Sequence, residues 1–85
     1  YNMNNITELR TQINEINEQL VVLIIQRNNI LREIRTEKTK LGLPIYERSR
    51  ENDIYTKIER KYPEHFKHIT PIFEEIIKQS RLLQN

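Results

Sequence analysis

The sequence predicts an all-α protein built from one very long helix and two shorter ones. Three observations carry that expectation. From Ile6, apolar residues recur at alternating steps of three and four: Ile6, Leu9, Ile13, Ile16, Leu20 and Leu23. This is the inner stripe of an amphipathic helix. Second, the single glycine and the three prolines all fall where one periodic segment gives way to another. Third, no stretch shows the period of two that marks a strand.

The first helix is expected over Ile6 to Leu41, with Thr7 as a possible N-cap and Glu8 near the positive end of the dipole. Beyond Leu23 the same steps reach Arg27, Ile30, Ile34, Glu37 and Leu41. Gly42 suits a left-handed C-cap, and Pro44 prevents continuation. At 1.5 Å per residue the helix spans roughly 54 Å. A compact chain of this length has a diameter of only about 30 Å. Its apolar seam therefore overhangs any single-chain core and calls for a partner, most simply a second copy. Residues 1–5 are polar and expected to be frayed, and Tyr1 and Asn2, which precede Met3, read as remnants of cloning.

A second helix is expected from about Glu47 to Lys61, with Ile54, Ile58 and Tyr62 inward and Pro63 as its stop. Glu64 to Ile69 reads as a loop or a single turn. Thr70 then caps a third helix with Pro71 at its first position and Glu74 and Glu75 in its opening turns. Its inner face is Phe73, Ile76, Ile77, Ser80, Leu83 and Gln84. The whole of 1–85 is expected to be one domain, too small to bury a large core alone.

Composition excludes several classes. Charged residues make up 31% of the chain, yet the net charge is only +2 because acids and bases interleave. That pattern lacks the basic stripe of a nucleic-acid binder. There is no cysteine, hence no disulfide, thiolate nucleophile or cysteine-based metal site. The longest apolar run, Leu20 to Ile25, is far short of a membrane span. A cytoplasmic location is the expectation. His65 and His68 lie between the second and third helices with no accompanying ligands and read as surface residues. No metal or cofactor is expected.

Charge on the inner stripes is the informative feature. Arg27 occupies a core-type position, and Lys38 follows 11 residues later on the same face. Long cations on an apolar stripe are costly unless they meet an anion; the alternative is snorkelling at a coiled-coil edge. The polar residues on or beside inner stripes are Arg10, Arg27, Lys38, Arg50, Glu51, Ser80 and Gln84. In order they read L-R, R, K, R-E and S-x-x-x-Q, within the phrases LRTQINEIN, QRNNIL, LGLPI, RE and IIKQSRLLQ. This order and spacing resembles the all-helical chorismate mutase family over about Ile6 to Gln84.

The resemblance implies an intertwined homodimeric helical bundle that converts chorismate to prephenate on the route to phenylalanine and tyrosine. Chorismate is a dianion with two carboxylates, an ether oxygen and a hydroxyl. Its rearrangement is unimolecular and pericyclic. An enzyme need only hold the reactive conformer and stabilise charge developing on the breaking ether. By resemblance, Arg27 binds one carboxylate and Arg10 the other, each as a bidentate donor. Lys38 reaches the ether oxygen and a carboxylate, and Gln84 donates to the same oxygen. Glu51 accepts from the ring hydroxyl, Arg50 supports the site electrostatically, and Ser80 adds a carboxylate contact. Ile34 is a possible pocket wall. Glu47, which stands where many relatives have aspartate three residues before the Arg-Glu pair, is by resemblance a further substrate-binding residue.

Geometry requires two chains independently of the resemblance. Arg10 and Arg27 lie 17 residues apart, about 25 Å along one helix. No small dianion bridges that distance. In an antiparallel pair crossing near Val21, Arg10 falls opposite position 32 of the other chain, midway between Arg27 and Lys38. Two equivalent sites result, each with Arg10 supplied by the partner. Rival readings are an isochorismate pyruvate lyase of the same fold, decided by the loop Leu41 to Arg48, and a non-enzymatic homodimeric interaction module. A regulatory domain cut from a fused aromatic-pathway enzyme is a further one.

Overall fold

In the computed structural model, residues 3–84 are described, Met3 by its backbone alone. They form three helices, α1 Met3–Leu41, α2 Arg48–Lys61 and α3 Phe66–Gln84, and no strand among the described residues. The chain divides into two compact units, one ending at Ile30 and the other beginning at Leu31.

The first unit is the N-terminal part of α1. Helix begins at Met3 rather than Ile6, so Asn4 and Asn5 are helical and not frayed. The expectation for Tyr1 and Asn2 lies outside the described residues. Thr7 consequently is no cap: its carbonyl accepts the Thr11 hydroxyl at 3.1 Å, a bond between successive turns. Glu8 sits beyond the first turn, which carries no acid. The predicted apolar stripe is present and open. Leu9, Ile13, Ile16, Leu20 and Leu23 are each half exposed or more, between 50% and 58%.

The second unit holds the end of α1, then α2 and α3. The stop of α1 follows the sequence. Gly42 has φ +68, the left-handed region that glycine enters without a Cβ penalty. Its amide donates to the Thr39 carbonyl at 3.3 Å, and the Leu43 amide donates to the Lys38 carbonyl at 2.9 Å. Together these two bonds form the Schellman pattern that satisfies the last carbonyls of a helix. Lys38 and Lys40 lie in that last turn, where the helix dipole favours cations.

Helix α2 starts one residue later than expected, with Glu47 in an extended conformation as its boundary residue. Its less exposed stripe is Glu51, Ile54, Tyr55 and Ile58. Tyr62 was expected on that stripe, but it is the C-terminal boundary residue and stays 47% exposed. Its amide closes α2 on the Ile58 carbonyl at 2.8 Å.

The start of α3 is the largest departure. Helix begins at Phe66, so Pro71 lies inside it and Glu74 and Glu75 fall near its middle. The helix runs back because Phe66, Ile69 and Thr70 all contribute to the less exposed face. The Thr70 hydroxyl donates to the Phe66 carbonyl at 2.7 Å instead of capping. A proline here removes only one bond, to the second helical residue. On the inner face the reading holds: Ile77, Ser80 and Gln84 are buried and Phe73, Ile76 and Leu83 half-buried. Helices α2 and α3 pack on each other.

Candidate active site

Within the second unit, two clusters hold three of the predicted polar residues, Lys38, Glu47 and Glu51. Lys38 anchors the first. Its side chain is only 17% exposed. The ammonium donates to the Ile45 carbonyl at 2.9 Å and pairs with Glu47 Oε1 at 3.2 Å. The anion that an inward lysine needs is therefore supplied by the chain itself. The Schellman turn makes this possible: reversing the chain at Gly42 returns Ile45 and Glu47 to the turn they have just left. Lys38 is thus held at both ends, its own carbonyl accepting from Leu43. An ammonium has three donors, and Ile45 and Glu47 use two of them.

Glu51 and Arg81 form the second cluster. Arg81 Nε donates to Glu51 Oε2 at 2.8 Å, and its Nη2 donates to Oε1, a bidentate pair across α2 and α3. The Tyr46 ring lies 4.7 Å from the guanidinium carbon. Glu51 is the covered partner, with 16% of its side chain exposed against 47% for Arg81. The hydrogen bond to Glu51 raises the already high pKa of Arg81. Tyr55 is also pushed up, first by burial and then by the carboxylates of Glu74 and Glu51, with Arg81 opposing.

The remaining residues are distributed as follows. Ser80 is 8% exposed, and its hydroxyl donates to the Ile76 carbonyl at 2.7 Å. Its proton thus points into its own helix, although a hydroxyl rotates at little cost. Gln84 is equally buried at the end of α3. Arg50 is exposed on α2 and Ile34 is 39% exposed on α1. In the first unit, Arg27 is half-buried, while Arg10 is exposed beside a shallow apolar depression lined by Ile6, Leu9, Ile13 and Asn14. His65 and His68 are exposed. No group of three His, Cys, Asp or Glu residues that could hold a metal occurs among the described residues. No helix there is long and apolar enough to cross a membrane.

Sequence reading did not single out Arg81, Tyr46 or Tyr55. Arg81 lies within the quoted phrase IIKQSRLLQ, but its partner is 30 residues away, and no local spacing signals such a pair.

The described residues thus form an all-helical frame of the kind the resemblance implies, with one inward lysine and a hydroxyl and an amide buried on α3. Comparison with known proteins agrees. Residues 9–85 match the profile of the chorismate mutase type II family. The chain is 32% identical over 82 residues to the chorismate mutase of Methanocaldococcus jannaschii, covering 93% of this chain and 83% of that protein. It is 33% identical over 81 residues to the bifunctional chorismate mutase/prephenate dehydratase of Aquifex aeolicus, covering 88% of this chain but only 22% of that longer protein. The solved structure of chorismate mutase (form II) from Thermus thermophilus superimposes with a TM-score of 0.89 at 29% identity. That match covers 94% of this chain and 93% of the other. The chain belongs to the chorismate mutase type II family and is an isomerase of that kind.

Proposed function

We propose that the chain acts as a homodimer with two shared sites, each converting chorismate to prephenate with Arg10 supplied by the partner. The observation that carries the shared site is the open stripe of α1, where Leu9, Ile13, Ile16, Leu20 and Leu23 are each half exposed or more. A continuous apolar row of this kind marks an interaction surface, and its 3–4 spacing is that of a helix–helix seam.

In the rearrangement the ether carbon–oxygen bond breaks as a carbon–carbon bond forms between the enolpyruvyl methylene and the ring. No proton is transferred. Catalysis is then conformer selection and stabilisation of negative charge on the departing ether oxygen. Arg27 and the partner's Arg10 take the two carboxylates, which clamps the substrate at both ends. The third donor of Lys38 goes to the ether oxygen, and its position is already fixed by Ile45 and Glu47. Preorganisation of this kind avoids reorganising a flexible lysine during reaction. Gln84, buried near the end of α3, donates to the same oxygen. Glu51 accepts the ring hydroxyl. Arg50 contributes field, and Ser80 meets a carboxylate by turning its hydroxyl away from Ile76. Glu47 acts through Lys38, to which it is paired.

The test is to offer purified protein chorismate and isochorismate side by side and follow loss of each substrate's absorbance. Chorismate is expected to disappear with formation of prephenate. Release of pyruvate from isochorismate at the greater rate would instead identify a lyase.

A further inference from the structure

We propose that Arg81 is a positioning residue, whose guanidinium holds the Glu51 carboxylate in the orientation that accepts the substrate's ring hydroxyl. This rests on the reading of Glu51 given above.

Three contacts converge on Arg81. It donates through both Nε and Nη2 to the two oxygens of Glu51. Its guanidinium carbon lies over the Tyr46 ring, 4.7 Å from the centroid. A bidentate fork fixes the plane of a carboxylate as well as its distance. A cation over an aromatic ring is attracted to its face, which restrains the guanidinium in turn. The segment before α2, α2 itself and α3 are thereby joined at one planar group.

Glu51 keeps its capacity to accept. An ionised carboxylate offers about four lone-pair sites, and Arg81 takes one on each oxygen. A hydroxyl can still approach either oxygen, now at a fixed angle. Without Arg81, the glutamate has three rotatable bonds and must be ordered when substrate binds. A role confined to folding fits poorly with the exposure of Arg81. Arg81 is 47% exposed, and ion pairs so accessible to water contribute little to stability. Its neighbours on α3 fit the same purpose, because Ser80 and Gln84 are both buried members of the proposed site. Arg81 lies between them, on the edge of that face.

The experiment measures kcat and KM for the intact protein with two substrates: chorismate, and an analogue whose ring hydroxyl is replaced by hydrogen. Arg81→Ala is expected to lower kcat/KM for chorismate by roughly 10- to 100-fold, the scale of a misplaced contact group. Turnover of the analogue should match that of the parent protein, because the contact being positioned no longer exists. Arg81→Lys, which keeps the charge and the stem but not the fork, should lie between the two. Equal losses on both substrates, or no loss on either, would overturn the proposal. Glu51→Gln supplies the control for the underlying reading. If it discriminates between the substrates while Arg81→Ala does not, the proposal alone fails. If Glu51→Gln does not discriminate, the hydroxyl contact fails and the proposal with it. Should Arg81→Ala not fold, Arg81→Lys carries the same comparison.

Discussion

Lys38 shows how much one side chain can be asked to do. It lies in the last turn of a helix, anchors the returning loop through the Ile45 carbonyl and pairs with Glu47, and the proposed mechanism gives its third donor to the substrate. Replacing Lys38 or Arg27 by alanine should each lower turnover by roughly 100- to 1000-fold, the cost of removing one preorganised donor to developing charge. Steady-state kinetics checks this, and a variant keeping a tenth of the parent rate contradicts the assignment. The two differ in stability. Lys38→Ala orphans the Ile45 carbonyl and should lower folding stability by about 1 kcal/mol, measured by urea titration. Tyr55 offers a pH test. Its pKa is raised in the fold, so the protonated phenol favours folding. That contribution is complete below the ordinary value of 10.0 and is lost as pH climbs through the raised one. Tyr55→Phe should therefore flatten the alkaline fall of the melting temperature. The covered positions of Arg27, Lys38, Ser80 and Gln84 were legible because each falls among apolar residues of a helical stripe. Arg81 was not, because its meaning resides in Glu51, a residue far away in sequence.

At the level of elements, the end of α1 is the best-specified feature of the chain. One glycine with φ +68 and a proline two residues later leave little choice. A Cβ built at Gly42 meets nothing within 4 Å, so Gly42→Ala has no steric cost beyond the backbone itself. It should destabilise by about 1 to 2 kcal/mol, the left-handed penalty, with Gly42→Asn milder. Activity should fall further than stability, because Ile45 and Glu47 reach Lys38 only through this turn. Paired thermal melts and assays would show the two effects separately. Helix starts were harder to read. Thr7 and Thr70 both looked like caps, yet each stands inside a helix and takes part in a bond between turns. Pro71 has the same ambiguity: it suits a first position, but six residues in it removes only one hydrogen bond. Capping preference is local, and the burial of Phe66 and Ile69 outweighs it.

For the molecule as a whole, the consequence of a shared site can be tested without a structure. Arg10→Ala and Lys38→Ala homodimers should both be nearly inactive. Refolded together in equal amounts, half the dimers are mixed, and each mixed dimer holds one site with neither lesion. About a quarter of parent activity should return if pairing is unbiased and the sites are independent. If Arg10 served its own chain, every site would lack a residue and nothing would return. Light scattering should likewise give twice the 10.4 kDa chain mass, and a folded species at the single-chain mass would contradict the dimer. The exposed apolar stripe expected from the spacing is present on α1, and it is what supports the proposed partner. In the proposed dimer, the open stripe from Leu9 to Leu23 also makes the enzyme's own abundance a term in its rate law. Above the dissociation constant, rate grows in proportion to chain concentration. Below it, rate grows with the square, so a cell that halves the supply of chain loses three quarters of the flux.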